Sequence, residues 1–400
     1  MILQDEPFQR KVETMDNFTY AISTRVLFGR NKIDQLTEEI KKYADTVLFI
    51  YGQGSIKQLG IYDAVTTMLQ KSDIDFVELA GVQPNPRIQT VRTGIELCKD
   101  HEVDLVLAAG GGSTIDCAKT IAAGMFYDGD PWDLFLQGDS LIRDALPIGT
   151  ILTAAGTGSE MNGNAVITNP ETRQKFAIHH DLLRPKFSIL DPTYTFSVPP
   201  MHTAAGIVDI FSHILEQYFS PTKDSFVQDR LAESMLATCL KYGPIAFQKP
   251  MDYEARGQLM WTSSLALNGI LSYGKTTDWA THGIEHAISA AYDVTHGIGL
   301  AVLTPTWMQY VLSTQTQGRF LDYAHNVWGL HGATDTITRQ GITKTKEFFT
   351  SLGMPTSLHE LGVQQQSLQE MATIATTFGP IGKFKKLTTS DVLTILKNAY

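Results

Sequence analysis

Val103-Asp-Leu-Val-Leu-Ala-Ala109 runs directly into Gly110-Gly-Gly-Ser-Thr-Ile-Asp116. A short apolar run ended by glycines is how a strand buried on both faces of a parallel sheet reads. The residues from Ser113 then open a helix. Working outward, Thr46-Val-Leu-Phe-Ile-Tyr51 is a second such run, ending in Gly52-Gln-Gly-Ser55. Strands are also predicted over 17–29, 75–79, 148–153, 176–180 and 187–190, and helices over 31–43, 63–71 and 88–101. Strand and helix alternate, so the expected fold is a doubly wound, Rossmann-like α/β domain. Beyond Pro200 the strand signals stop. Apolar-periodic helical segments take over at 203–219, 224–241, 252–270, 278–290, 299–313, 318–328 and 335–352. The expected division is an extension, disordered or a tag, at 1–14, an α/β domain at 15–198, and an all-helical domain at 199–400.

At 400 residues the chain is too long for one ordinary core, which agrees with two domains. Hydrophobic residues make up 43% and charged residues 18%, a globular balance. A net charge of -10 argues against nucleic acid or an anionic membrane as partner. No apolar run is long enough for a membrane span, and Met1-Ile-Leu-Gln-Asp-Glu6 lacks the order of a signal peptide. The 3 cysteines, Cys98, Cys117 and Cys239, form no CxxC pair, as expected of a reduced, cytoplasmic protein.

The chemistry concentrates in two helical stretches. Asp278-Trp-Ala-Thr-His282-Gly-Ile-Glu-His286 stacks two histidines on one helix face, and His296-Gly297 follows shortly after. Ala205-Gly-Ile-Val-Asp209-Ile-Phe-Ser-His213 places a carboxylate and an imidazole on one face of an otherwise apolar helix. Each pair alone can be an ordinary buried hydrogen bond. A carboxylate in such a setting needs a partner, since its desolvation costs roughly several kcal/mol. With His282 and His296 in the same domain, one carboxylate and three imidazoles read better as a site for Fe2+, Zn2+ or a similar divalent ion. A competing reading takes His282-Gly-Ile-Glu285-His286 as the H-x-x-E-H zinc-peptidase signature with Glu285 as base. It accounts for neither the glycine turns nor the Asp209/His213 pair. The turn Gly110-Gly-Gly-Ser113 suits a pyrophosphate at a helix N-terminus, or is a tight strand-to-helix turn and nothing more. Gly52, Gln53, Gly54 and Ser55 end a strand where an adenosine ribose would lie. The neutral Gln53 does not repel a 2′-phosphate, which favours NADP(H) over NAD(H).

Taken in order, several motifs resemble the iron-containing (group III) alcohol dehydrogenases, nearest to their NADPH-dependent butanol dehydrogenase and aldehyde reductase branch. They are Thr24-Arg-Val-Leu-Phe-Gly29, Tyr51-Gly-Gln-Gly-Ser55, Pro84-Asn-Pro86, Gly110-Gly-Gly-Ser-Thr-Ile-Asp116, Thr157-Gly-Ser-Glu160, Leu190-Asp-Pro192, Val208-Asp-Ile-Phe-Ser-His213, Glu216-Gln-Tyr218, Gln228-Asp-Arg230, Asp278-Trp-Ala-Thr-His282 and His296-Gly297. The resemblance covers nearly the whole chain from Met15. It implies a dinucleotide domain, a helical metal domain and an active site in the cleft between them. It makes Asp209, His213, His282 and His296 ligands of one Fe2+ or Zn2+, with His286 near the substrate. It also implies that Gly110, Gly111, Gly112 and Ser113 hold the pyrophosphate beside Asp116, and that Thr153, Thr157, Lys175, Tyr194 and Ser197 lie around the cofactor. The implied activity is hydride transfer between NADP(H) and a short to medium-chain primary alcohol or aldehyde such as butanol or butanal, in a homodimer. Catalytic roles fall to Asp209 and His282 through the metal. His286 is the candidate for exchanging the substrate proton, with a packing role as its alternative. Polyol dehydrogenases and lyases of the dehydroquinate synthase type share the fold and form the second reading. Two departures stand out. Gln53 replaces the branch's usual glycine, and Ala155-Gly156 stands where Pro-Ala is common.

Overall fold

The computed structural model describes residues 15–400, and the expected extension at 1–14 lies outside them. In chain order come β1 (Arg25–Phe28), α1 (Leu36–Ile40), β2 (Thr46–Tyr51), α2 (Ser55–Gln58), α3 (Ile61–Lys71), β3 (Asp75–Leu79), α4 (Ile88–Asp100), β4 (Leu105–Gly110), α5 (Gly112–Gly124), α6 (Asp133–Gln137), β5 (Ile148–Leu152), β6 (Asn164–Asn169), β7 (Gln174–His179) and β8 (Phe187–Leu190). Six strands form one parallel sheet in the order β1-β8-β5-β4-β2-β3, and β6 pairs with β7 as an antiparallel hairpin.

The burial pattern explains the double winding. Leu48, Ile50, Val106 and Ala108 join one apolar cluster with Val91 of α4 and Ile121 of α5. Their alternate neighbours Val47, Phe49, Leu105 and Leu107 join another with Leu36 of α1 and Val65 and Leu69 of α3. Strand side chains alternate between faces, so both faces of the sheet are covered. Chain progression reverses between β2 and β4, and a crevice opens at such a switch point, outside the carboxyl ends of the strands. Tyr51 pairs with Ala109 and Gly110 with Leu152. The turns after β2, β4 and β5 therefore emerge side by side at that crevice.

Past Pro199 the chain is helical: α7 (Pro200–Tyr218), α8 (Phe226–Gln248), α9 (Tyr253–Leu267), α10 (Ala280–Tyr292), α11 (His296–Val311), α12 (Gln317–Asn326), α13 (Thr334–Ser351), α14 (Leu368–Ala375) and α15 (Thr389–Asn398). Helix α7 is buried on nearly every side, with Val208, Phe211, Ile214 and Leu215 fully inside. A helix apolar all round belongs in a core. That makes the buried Asp209, His213 and Glu216 on the same helix conspicuous.

Two local expectations need correction, and the sequence pattern missed other elements. The strand expected over 17–29 narrows to β1, because the residues before it pack against the Tyr273–Gly274 turn instead of pairing in the sheet. The helix expected over 31–43 divides into a 3-10 turn at Lys32–Gln35 and the short α1. β6 is a polar hairpin arm whose Asn and Thr residues hide its strand character. Helices α14 and α15 were not anticipated, although Thr388 and Asp391 form a capping box at the start of α15.

Candidate active site

Helices α7, α10 and the first turn of α11 converge on Asp209. Its Oδ1 lies 3.6 Å from His213 Nε2, 3.9 Å from His282 Nε2 and 3.7 Å from His296 Nε2. Ligands of a tetrahedral ion with bonds of about 2.1 Å sit roughly 3.4 Å apart, so these donors nearly have the spacing of a ligand set. Asp209 Oδ1, His213 Nδ1 and His282 Nε2 are buried with no hydrogen-bond partner among the described residues. Buried polar atoms seldom go unpaired, and a cation at this point would engage both Asp209 Oδ1 and His282 Nε2. The residues fit a divalent metal.

Two carboxylates stand behind the imidazoles. His282 Nδ1 bonds Glu216, and His296 Nδ1 bonds Glu285; both glutamates are fully buried. A hydrogen bond at Nδ1 fixes the tautomer that leaves Nε2 free to ligate. Glu216 also accepts from the backbone N–H of Thr281 at 2.5 Å, which ties α7 to the start of α10. The electrostatics of the cluster follow from the same neighbours. Burial opposes ionisation of Asp209, but the surrounding imidazoles of His213, His296 and His282 hold its carboxyl well below the usual range. Burial pushes His213 down to about 4. Burial also opposes protonation of His282, yet the Glu216 carboxylate raises it to about 9.

A cavity of about 800 Å3 joins this cluster to the sheet crevice. Ser113, Asp116, Thr157 and Lys175 line it on the sheet side, and His286, Trp279, Leu267 and Tyr273 on the helical side. The His286 and His296 ring centres are 5.4 Å apart. Burial, then the Lys175 ammonium, push His286 well below an ordinary imidazole. Gly112 touches Thr157 so closely that a Cβ there would sit 2.3 Å from its Oγ1, which brings the start of α5 against the turn after β5. Asp116 has both oxygens engaged, by Ser159 Oγ at 2.6 Å and Val166 N–H at 3.0 Å, so it ties α5 to the turn after β5 and to β6.

The structure thus gathers Asp209, His213, His282, His286, His296, Ser113, Asp116, Thr157 and Lys175 around one cavity. The turns at 52–55 and 110–112 do not themselves line it: Gly110 and Gly52 lie near Thr114, and Gly111 approaches Ala154. Thr153, Tyr194 and Ser197 do not line the cavity. Thr153 is buried beside the turn, Tyr194 packs on the apolar cluster beneath the sheet, and Ser197 is exposed. The peptidase reading loses its base: Glu285 is buried and bonded to His296 and Ser289 rather than facing the cavity. Glu216 and Asn85 were missed as site residues, and Glu285 was weighed only as a peptidase base. The sequence signal for Glu216 was a charge one helical turn beyond His213 on an apolar helix.

Residues 23–192 match the family described as iron-containing alcohol dehydrogenase, and residues 203–400 match the Fe-containing alcohol dehydrogenase family, C-terminal. The chain is 53% identical over 390 residues to NADH-dependent butanol dehydrogenase A of Clostridium acetobutylicum, covering 96% of this chain and 100% of that protein. It is 38% identical to the NADPH-dependent aldehyde reductase YqhD of Escherichia coli, over 88% of this chain and 91% of the relative. Among solved structures, NADH-dependent butanol dehydrogenase A of Thermotoga maritima superposes with a TM-score of 0.93 at 39% identity, covering 97% and 99% of the two chains.

Proposed function

The chain belongs to the iron-containing alcohol dehydrogenase family, and from that premise we propose that it transfers hydride between a nicotinamide dinucleotide and a short to medium-chain primary alcohol or aldehyde such as butanol or butanal. One divalent ion, Fe2+ or Zn2+, would be held by Asp209, His213, His282 and His296. The observation that carries this reading is the convergence of three imidazoles on a buried carboxylate, in a cavity that also reaches Ser113 and Asp116 of α5.

When bound, the ion supplies Lewis acidity at the substrate oxygen and the nicotinamide supplies the hydride. The chain's own residues do the rest. N–H groups at the start of α5 and the Ser113 hydroxyl suit the pyrophosphate, with Thr157 and Lys175 on the same side of the cavity as further cofactor contacts. Leu267, Tyr273 and Trp279 wall the substrate end and limit water there. His286 faces the same space and is our candidate for passing the substrate proton to solvent. Gln53 carries no charge against a 2′-phosphate, which supports NADP(H). The name of the relative at 53% identity points to NADH instead, so both forms enter the assay. The change from strands to helices after β8 supports a boundary between two units near Pro199. β1 is an edge strand of the sheet, which supports a homodimer formed along it. The 3 unpaired, buried cysteines suit a reducing, cytoplasmic setting.

The test is the initial rate of NADPH and NADH oxidation with butanal, before and after chelator, with glycerol oxidation alongside. Activity lost on chelation and restored by Fe2+ or Zn2+ supports the reading. A metal-replete protein that turns over glycerol but no short aldehyde would favour the polyol reading.

A further inference from the structure

The Pro84-Asn85-Pro86 turn has no place in the chemistry above, yet it reaches across the cleft. Asn85 is buried and held at φ 52 between its prolines. Its Nδ2 donates to Asp293 Oδ1 at 2.8 Å, in the turn between α10 and α11, and Arg87 reaches the same carboxylate at 3.0 Å. Its Oδ1 accepts from Lys175 Nζ at 2.9 Å. That ammonium lies 3.8 Å from Glu285 Oε2, the oxygen bonded to His296 Nδ1. A continuous polar chain therefore runs from the sheet half of the molecule through Lys175 and Glu285 to His296.

Glu216 makes an instructive contrast. Its partners are His282 and the backbone N–H groups of Thr281 and His282, all within the helical half. Both glutamates orient an imidazole, but among the described residues Glu285 is the one of the pair that also meets a cation from the cofactor side.

We propose that Glu285 is a positioning residue shared by His296 and Lys175, and that through it metal binding and dinucleotide binding strengthen each other. The inference rests on the function proposed above, which makes His296 a ligand and Lys175 a cofactor contact. A ligating Nε2 requires the proton on Nδ1, and that proton belongs in the hydrogen bond to Glu285. The carboxylate is then held as an anion in one place, and Lys175 is drawn to a fixed position facing the cavity. Binding at either end removes freedom from the same chain of side chains, so the second ligand has less to order. Linkage makes the effect reciprocal, with each ligand raising the other's affinity by the same factor.

The experiment measures Zn2+ affinity by competition with a chromophoric chelator, with and without saturating NADH, and NADH affinity by its fluorescence with and without Zn2+. In the unaltered protein the coupling factor is expected to be at least about fivefold. Glu216→Gln should weaken Zn2+ binding by roughly 10- to 100-fold and keep the coupling factor. Glu285→Gln should weaken Zn2+ binding comparably and bring the factor close to one. Should Glu285→Gln fail to fold, Lys175→Met, read at NADH concentrations raised to saturate its weakened cofactor site, should bring the coupling factor close to one. A Glu285→Gln protein with the original factor, or an unaltered protein that binds both ligands independently, overturns the proposal and leaves the function standing. Failure to bind either Zn2+ or NADH would overturn both.

Discussion

Helix α11 begins at His296, and its next residue lies directly against α7. A Cβ built on Gly297 would sit 2.0 Å from the backbone oxygen of Ala205 and 2.6 Å from its carbonyl carbon. Carbon–oxygen contacts in proteins settle at about 3.3 Å or more, so Gly297→Ala must open this contact by roughly 1.3 Å. The obstacle is main chain in the middle of a buried helix, and no rotamer change relieves it. The displaced element carries His296, whose Nε2 is 3.7 Å from Asp209 Oδ1. Metal–ligand bonds tolerate errors of about 0.2 Å, and a misplacement of about 1 Å in a site costs on the order of 100-fold. Gly297→Ala should therefore weaken Zn2+ affinity by about 100-fold, or about 2.8 kcal/mol at 1.4 kcal/mol per tenfold. Chelator competition reads the affinity, and circular dichroism with a thermal melt shows whether the fold survives. Gly283→Ala is the control. It adjoins His282 inside α10, but its Cβ would meet nothing nearer than Ile381 Cδ1 at 3.7 Å, so metal affinity should hold. A folded Gly297→Ala protein that binds Zn2+ as tightly as the Gly283→Ala control would refute the argument that backbone contact sets the ligand geometry.

Gly112→Ala puts its methyl 2.3 Å from Thr157 Oγ1, so the cofactor wall has to shift; dinucleotide affinity should fall by tenfold or more, roughly, with Zn2+ affinity intact, and unchanged NADH titrations would reject this. His286→Ala should lower turnover and alter its pH profile without releasing metal; an unaltered rate and profile would end the relay role. Burial pushes the Cys98 and Cys239 thiols up to about 12 and raises Cys117 as well, so at pH 8 a thiol reagent should label none in the native protein and 3 after unfolding. The folded chain then keeps protons between pH 9 and 12 that the unfolded chain has shed, and these thiols make stability fall as pH rises through that window, which urea melts at increasing pH would detect.

Much of the layout was legible because its signals are local. Strands buried on both faces read as β2 and β4 do, and a glycine cluster after each marks where the sheet opens. Asp209 and His213 stood out because a carboxylate and an imidazole had to be explained inside an apolar helix. The donor types of the metal site were therefore readable one helix at a time. Their partners were not. Glu216 meets His282 across 66 residues of chain, and Asn85 meets Asp293 across 208, contacts that exist only once α7, α10 and the sheet are packed. Placement is hidden for the same reason at Tyr194 and Ser197: the turn after β8 directs one onto the core under the sheet and the other to solvent. Periodicity gives no weight to Gly297 in the first turn of α11. Its absent side chain lets α11 approach α7, and that approach brings His296 within 3.7 Å of Asp209. Side-chain chemistry announced which groups would bind a metal, while the missing Cβ atom at 297, silent in any hydrophobicity pattern, sets how far apart they stand.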